Sequence, residues 1–394
     1  MNKDSGRDPQ MGAVGQYRRR LVCICGGMFL YFAHVTAFFP VLPLYLTQRW
    51  ADGAAVGLVV GSMAAGILLM RPWIGMALDR WGRKPVLWAG LGIALLIQPL
   101  YGLATSPWEL VPVRVLHGLS QACFATASHT LLADLVPPPQ RTAMLGYLAM
   151  SNTLGFALGP WLGSQLWQQW GWNGFLLGLL GLLVLGVGIS LPLPWQKPPP
   201  TVSILSTTEV GSPWLALTQF PVREATFFFF ISSLLHGGMT TFLPLVMTEA
   251  ANFYSLYALG AVFVRFALGK WGDQISHHWT VAAGLVCSGV TMIGLTLSTD
   301  LTWLWAVLYS LGFGALFPVL SAIVSLAVPA ERRGRVLSLF LMGFDSGMTL
   351  GGAGMGSLLG LMTLPQLFMA GGLLGICCGG LAFCQLRRPL PIGE

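Results

Sequence analysis

The sequence predicts an all-α integral membrane protein of about 12 transmembrane helices, arranged as two six-helix bundles that repeat in parallel. Three observations predict it. Of 394 residues, 55% are hydrophobic and 9% charged, too little polar surface to cover a soluble globule of that length. Apolar stretches near the roughly 20 residues that a bilayer crossing takes recur along the whole chain. The first half of the chain also reappears, weakened, in the second.

The spans run approximately over 21–46, 54–78, 85–105, 108–135, 143–168, 173–193, 223–248, 253–275, 279–298, 302–328, 335–361 and 365–386. The fifth and sixth divide around Trp167 to Trp172. Arg18 to Arg20 ahead of span 1 look like the start of a secretory signal, but the apolar run continues through Pro43 to Leu46 without a small-residue cleavage site, so it reads as a retained span. Residues 194–220, with Lys197-Pro198-Pro199-Pro200, read as a linker. The expected divisions are a tail at 1–20, a first bundle at 21–193, the linker, a second bundle at 221–386 and a tail at 387–394.

Basic residues orient the chain, because cytoplasmic loops carry the positive excess. Seventeen of the 21 Lys and Arg residues fall in the termini, the linker or the loops of one side, only Arg49 lies in a loop of the other, and Arg71, Arg114 and Arg265 lie within spans. Both termini are therefore expected in the cytoplasm of a multi-pass cell-membrane protein. This bias accounts for the net charge of +7, and nothing suggests a nucleic-acid surface, which needs a soluble basic face. All seven cysteines fall in apolar spans and read as small packing residues.

The repeat is specific. Arg71, Gly75 and Asp79 recur as Arg265, Gly269 and Asp273, an offset of 194 that also carries Gly118 onto Gly312. An offset of 192 carries Arg141, Gly155 and Gly159 onto Arg333, Gly347 and Gly351, and Leu42-Pro43-Leu44 of span 1 returns as Leu243-Pro244-Leu245 of span 7. Two parallel six-span repeats are a transporter architecture with the substrate path between the halves. Glycines four apart smooth one helix face for close approach, as at Gly343, Gly347 and Gly351 and again at Gly352, Gly356 and Gly360.

The loop between spans 2 and 3 reads Gly75-x-x-x-Asp79-Arg80-x-Gly82-Arg83-Lys84. Span 4 carries Arg114, Gly118 and Ala122; span 5 carries Gly146, Gly155, Gly159-Pro160 and Gly163, followed by Ser164; and span 1 carries Pro40-Val41-Leu42-Pro43. In these motifs the chain resembles the major facilitator superfamily, and within it the twelve-span drug:proton antiporters. Two positions depart from the pattern: Ser164 stands for a final glycine, and Ala33-His34 for a Leu-Gly before the span 1 element. The resemblance implies a secondary active transporter, a proton-coupled exporter of small apolar or amphipathic compounds that works by alternating access, as a monomer and without a cofactor. It implies that Gly75, Asp79, Arg80, Gly82, Arg83 and Lys84 form a cytoplasmic latch between the halves. It assigns Arg114 to the central cavity with a part in proton coupling.

Ionisable residues inside spans mark a pathway by default. Asp345, about ten residues into span 11, is the one acidic group placed near the membrane middle; it either exchanges protons or fixes packing as a buried pair. His34 in span 1 and His236 in span 7 hold nearly equivalent places in the two halves and either relay protons, contact substrate or pack, while His117 and His129 read as packing residues. Arg71 and Arg265 are expected to serve contacts between the halves. Span 1 has no acidic residue, which speaks against cationic drugs, whereas Phe29, Tyr31, Phe32, Phe38, Phe39 and Phe227 to Phe230 suit an apolar or amphipathic compound. No phosphate-binding Gly-Lys-Ser or Gly-Lys-Thr loop, metal-ligand spacing or soluble domain points to an enzyme or a cofactor. An importer or facilitator of a sugar or other small metabolite, and a transporter-like sensor or scaffold, remain the competing readings.

Overall fold

A computed structural model describes residues 9–50, 53–136, 141–193, 218–271, 276–328 and 330–387. The helices are α1 Pro9–Trp50, α2 Gly53–Trp81, α3 Arg83–Ile97, α4 Leu100–Leu103, α5 Pro107–Leu135 and α6 Arg141–Ser190, then α7 Val222–Val246, α8 Ala250–Trp271, α9 His277–Leu297, α10 Thr302–Ala327, α11 Ala330–Leu358 and α12 Leu364–Leu386. No strand occurs among the described residues.

These elements give twelve crossings. α3 and α4 together make one, interrupted at Gln98 and Pro99. α6 makes two, because at 50 residues and about 1.5 Å per residue it is more than twice as long as a bilayer core is thick. It turns at Gly171, whose φ of 63° and ψ of −164° lie outside the helical region and in space that glycine enters without cost. Among the described residues, eight helical stretches are long and apolar enough to cross a membrane by length and composition alone. α2, α5 and α11 fall outside that group, and they carry Arg71, Arg114 and Asp345.

Local chemistry sets several boundaries. Gly82, at φ 91°, separates α2 from α3 in a conformation that residues with a side chain rarely adopt. Ser106 caps α5 by accepting from the Trp108 amide, with Pro107 in the first turn where a missing N–H costs nothing. Thr363 and Gln366 form a reciprocal capping box at the start of α12. α1 is helical from Pro9, so the helix that carries the first span begins within the expected N-terminal tail. Residues 194–217 of the expected linker, and Gly272 to Gln274 of the second motif copy, lie outside the described residues.

Arg19 and Arg20 near the start of α1, Arg80, Arg83 and Lys84 around the α2–α3 turn, and Arg387 after α12 share one face of the molecule, called here the basic face. Toward the opposite face both bundles contribute to one apolar core, in which Leu42 and Leu46 of α1 and Val56 and Val59 of α2 join Phe242 and Leu243 of α7 and Phe253 of α8. Toward the basic face the first bundle has a core of its own, including Met28, Leu78, Leu87 and Leu131. The two bundles are therefore fused at the opposite face and separate toward the basic one.

Glycine decides how closely the helices approach. A methyl group at Gly155 would lie 2.6 Å from the Phe29 carbonyl, one at Gly159 2.5 Å from the Ala33 carbonyl, and one at Gly163 2.5 Å from the Ala37 carbonyl, so this face of α6 lies directly on the α1 backbone. Gly347 and Gly351 place α11 against the backbone of α7 in the same way, at the repeat-related positions. Between the bundles, Gly57 of α2 meets Gly352 and Gly356 of α11. Gly360, the third glycine of that expected stripe, faces open space.

Candidate functional site

Where the bundles separate they enclose a cavity of about 560 Å³, running from mid-membrane depth toward the basic face. Residues from α1, α2, α5 and α6 line one side, and residues from α7, α8, α10 and α11 the other. The walls are mostly aromatic and aliphatic. Among the described residues its charged lining is Arg71, Arg114, Arg265 and Asp345, three guanidiniums against one carboxylate.

Asp345 is 3% exposed and forms an ion pair with Arg71, whose Nε donates to Asp345 Oδ2. The pair joins α2 of the first bundle to α11 of the second. Arg265 of α8 makes the reciprocal crossing, its guanidinium donating to Thr153 Oγ1 of α6 over 3.2 Å. Thr153 precedes Asp345 by 192 positions, the offset that relates Gly155 to Gly347. The two arginines and their two acceptors are thus both related by the internal repeat. Applied to every polar position, that offset would have found Thr153 in the sequence.

Arg114 is 1% exposed and sits in the wall between the cavity and the interior of the first bundle. Its guanidinium reaches Tyr101 Oη at 3.5 Å and His117 Nδ1 at 3.4 Å, and lies 5.7 Å from the centre of the Phe38 ring. Its Nε has no hydrogen-bond partner. His236 lines the cavity, with Nδ1 2.7 Å from Tyr309 Oη and its ring stacked on Phe313 at 4.0 Å.

His34 does not share that position. It is fully buried inside the first bundle, where Nε2 lies 3.0 Å from Gln98 Oε1 and the ring packs against Phe38 and His117. It is absent from the cavity lining, so the expected equivalence with His236 holds along the chain but not in space. Gln98 in turn holds His34 inside the first bundle, its Nε2 donating to the Leu176 carbonyl of α6 at 3.0 Å. Conversely, His129 belongs to the cavity lining although its sequence context reads as packing.

The loop expected to latch the bundles together makes its described contacts within the first one. Arg83 Nε donates to Asp134 Oδ2 of α5 over 2.8 Å, and its Nη1 to the Leu78 carbonyl over 2.9 Å. Lys84 Nζ donates to the Leu193 carbonyl beyond α6. The turn is thereby tied to the basic-face ends of its own bundle, because α3 starts there and its neighbours α5 and α6 end there. Gly75 and Arg80 are exposed, and the Asp79 side chain lies outside the described residues. Asp134 was legible as an acid at the end of span 4, level with that loop. In the span 5 motif, Gly155, Gly159 and Gly163 face α1, Gly146 faces open space and Pro160 lies within α6.

Comparisons with known proteins agree with this architecture. The chain is 24% identical over 370 residues to the staphylopine export protein of Staphylococcus aureus, covering 89% of this chain and 91% of that protein. It is 24% identical to the quinolone resistance protein NorA of the same species, covering 86% and 88% of the two chains. To the class B tetracycline resistance protein of Escherichia coli it is 25% identical, covering 77% and 79%. Its fold matches the crystal structure of a point mutant of the nucleoside transporter NupG with a TM-score of 0.78 at 16% identity, over 93% and 99% of the two chains. It also matches a bacterial homologue of the human lysosomal transporter Spinster in an inward-facing, occupied conformation, with a TM-score of 0.76 at 18% identity over 99% of each. The profile of the Major Facilitator Superfamily matches residues 24–254 and again 247–393. A match that takes in both bundles shows that the chain belongs to the Major Facilitator Superfamily, a family of membrane transporters and not of enzymes.

Proposed function

We propose that this protein is a proton-coupled exporter of small apolar or amphipathic compounds. It works in the cell membrane as a monomer, with both termini and the basic face in the cytoplasm. Two halves, 21–193 and 221–386 joined by a cytoplasmic linker at 194–220, rock about the cavity.

The observation that carries the reading is the ion pair between Arg71 and Asp345, which spans the halves beside the cavity. A proton arriving on Asp345 removes its charge and releases Arg71, and its departure restores the pair. Proton occupancy is thereby coupled to an attachment between the two rocking bodies, the differential contact that a conformational equilibrium needs if it is to be shifted. The relatives named for export of staphylopine, quinolone resistance and tetracycline resistance support the outward direction. The positive excess of the basic face supports the orientation.

The test is accumulation of a panel of hydrophobic dyes and drugs in cells expressing wild type or Asp345→Asn, with and without a protonophore. Export requires lower accumulation in wild type only while the gradient stands, and loss of this effect in Asp345→Asn at equal membrane abundance. Accumulation that is unchanged across the panel, or rises with expression, overturns it in favour of a narrow metabolite carrier.

A further inference from the structure

We propose that the cavity selects amphipathic organic anions, compounds with an apolar body and a carboxylate headgroup, and that Arg265 receives the headgroup with Arg114 adding a second positive charge from the wall. This inference rests on the export reading and names its substrate class.

The argument begins with charge. Three arginines and one aspartate line the cavity, and the aspartate is engaged by Arg71. That leaves Arg114 and Arg265, for which no carboxylate partner is present among the described residues. Arg114 is held by neutral groups alone, a tyrosine hydroxyl, a histidine nitrogen and a phenylalanine face, and its buried Nε meets no acceptor. The described hydrogen bond of Arg265 likewise runs to a neutral hydroxyl, that of Thr153. For Arg114, a buried guanidinium held at membrane depth without a counter-ion is costly, and an arriving anion recovers part of that cost.

Position separates the two roles. Arg114 is sealed in the wall, whereas Arg265 is exposed and lies on the basic-face part of α8, where a ligand entering from that side meets it first. Its fork of donors suits bidentate pairing with a carboxylate. The rest of the cavity suits the body of the ligand. Phe32 and Phe156 of the first bundle face Phe229, Phe313, Phe317 and Phe344 of the second, in a volume that holds an organic molecule rather than a small inorganic anion. A cationic amphiphile would find the same aromatic walls but an excess of like charge.

The experiment uses the full chain in lipid nanodiscs and three probes that share one body: 1-pyrenebutyrate, 1-pyrenebutanol and 4-(1-pyrenyl)butyl-trimethylammonium. Binding is read as energy transfer from the protein's tryptophans, against empty nanodiscs. Wild type is expected to bind the carboxylate roughly tenfold more tightly than the alcohol, and the alcohol more tightly than the ammonium. Arg265→Gln should remove most of the carboxylate's advantage over the alcohol, the remainder being due to Arg114, while alcohol affinity stays within about twofold, and Arg265→Lys should restore part of the preference. An ammonium probe that binds as tightly as the carboxylate, a substitution that weakens all three probes alike, or no binding of any probe would each overturn the inference. Where Arg265→Gln is not recovered folded, the wild-type order of the three probes decides. A parallel assay in liposomes under an imposed proton gradient separates the two readings. Selective binding of the carboxylate without gradient-driven movement removes export and keeps the anion site, whereas gradient-driven movement of the ammonium alone removes the anion site and keeps export.

Discussion

Arg71 of α2 and Asp345 of α11 form an ion pair across the two halves of the molecule, and the internal repeat maps both partners onto a second crossing, Arg265 to Thr153. One crossing is an ion pair and the other a guanidinium-to-hydroxyl hydrogen bond. The asymmetry leaves a single carboxylate in the cavity lining among the described residues, so its protonation acts on one crossing and spares the counterpart.

That pairing predicts a coupled stability effect. Asp345→Asn and Arg71→Gln should each cost about 2–4 kcal/mol, because each leaves the partner's charge buried or partly buried and unpaired, and the double variant should cost clearly less than their sum. Thermal unfolding of the purified proteins in one detergent checks this. Additive losses would mean that the two side chains do not share an interaction.

The span 5 glycines should not be equivalent. Gly159→Ala places a methyl group against the Ala33 carbonyl and Thr36 and is expected to destabilise the fold by about 1–3 kcal/mol, whereas Gly146→Ala meets nothing within 4 Å and should leave the unfolding temperature unchanged. Equal effects would show that the α1–α6 contact does not set the requirement for glycine.

Gly57 of α2 should govern which face is closed. An added methyl group there would lie 2.6 Å from the Gly352 carbonyl of α11, so Gly57→Ala is expected to loosen the seal at the opposite face. The readout is labelling of a cysteine introduced at Thr241, a cavity-lining position, by a membrane-impermeant maleimide applied to the opposite face. Faster labelling than in Thr241→Cys alone is expected, and equal rates would show that the seal does not depend on this contact.

The Arg83–Asp134 contact predicts unequal losses from its two ends. Asp134 has a side chain 38% exposed and its pairing contributes at most about 1 kcal/mol, so Asp134→Asn should lower stability slightly. Arg83→Gln also removes a donor from the Leu78 carbonyl and should cost more, by about 1 kcal/mol. Thermal unfolding of the two variants measures the difference.

By itself the sequence determined the number of crossings, the repeat, the basic face and the family, because each is written in composition or in spacing along one chain. Apolar length reports most of the crossings whatever each packs against, and Gly75 to Lys84 carry their motif without reference to any partner. Pairing across the repeat was open to the same reading, since Thr153 stands at the position equivalent to Asp345. What only the tertiary structure decided is which side chains meet. It sent Arg83 to Asp134 in its own bundle, buried His34 behind Gln98 while leaving His236 in the cavity, and split the span 5 glycines into three that touch α1 and one that touches nothing. The physical reason is the rotation of each helix about its axis. Packing against several neighbours at once fixes that rotation, and residues of one type at equivalent positions then face lipid, a helix or the cavity according to it.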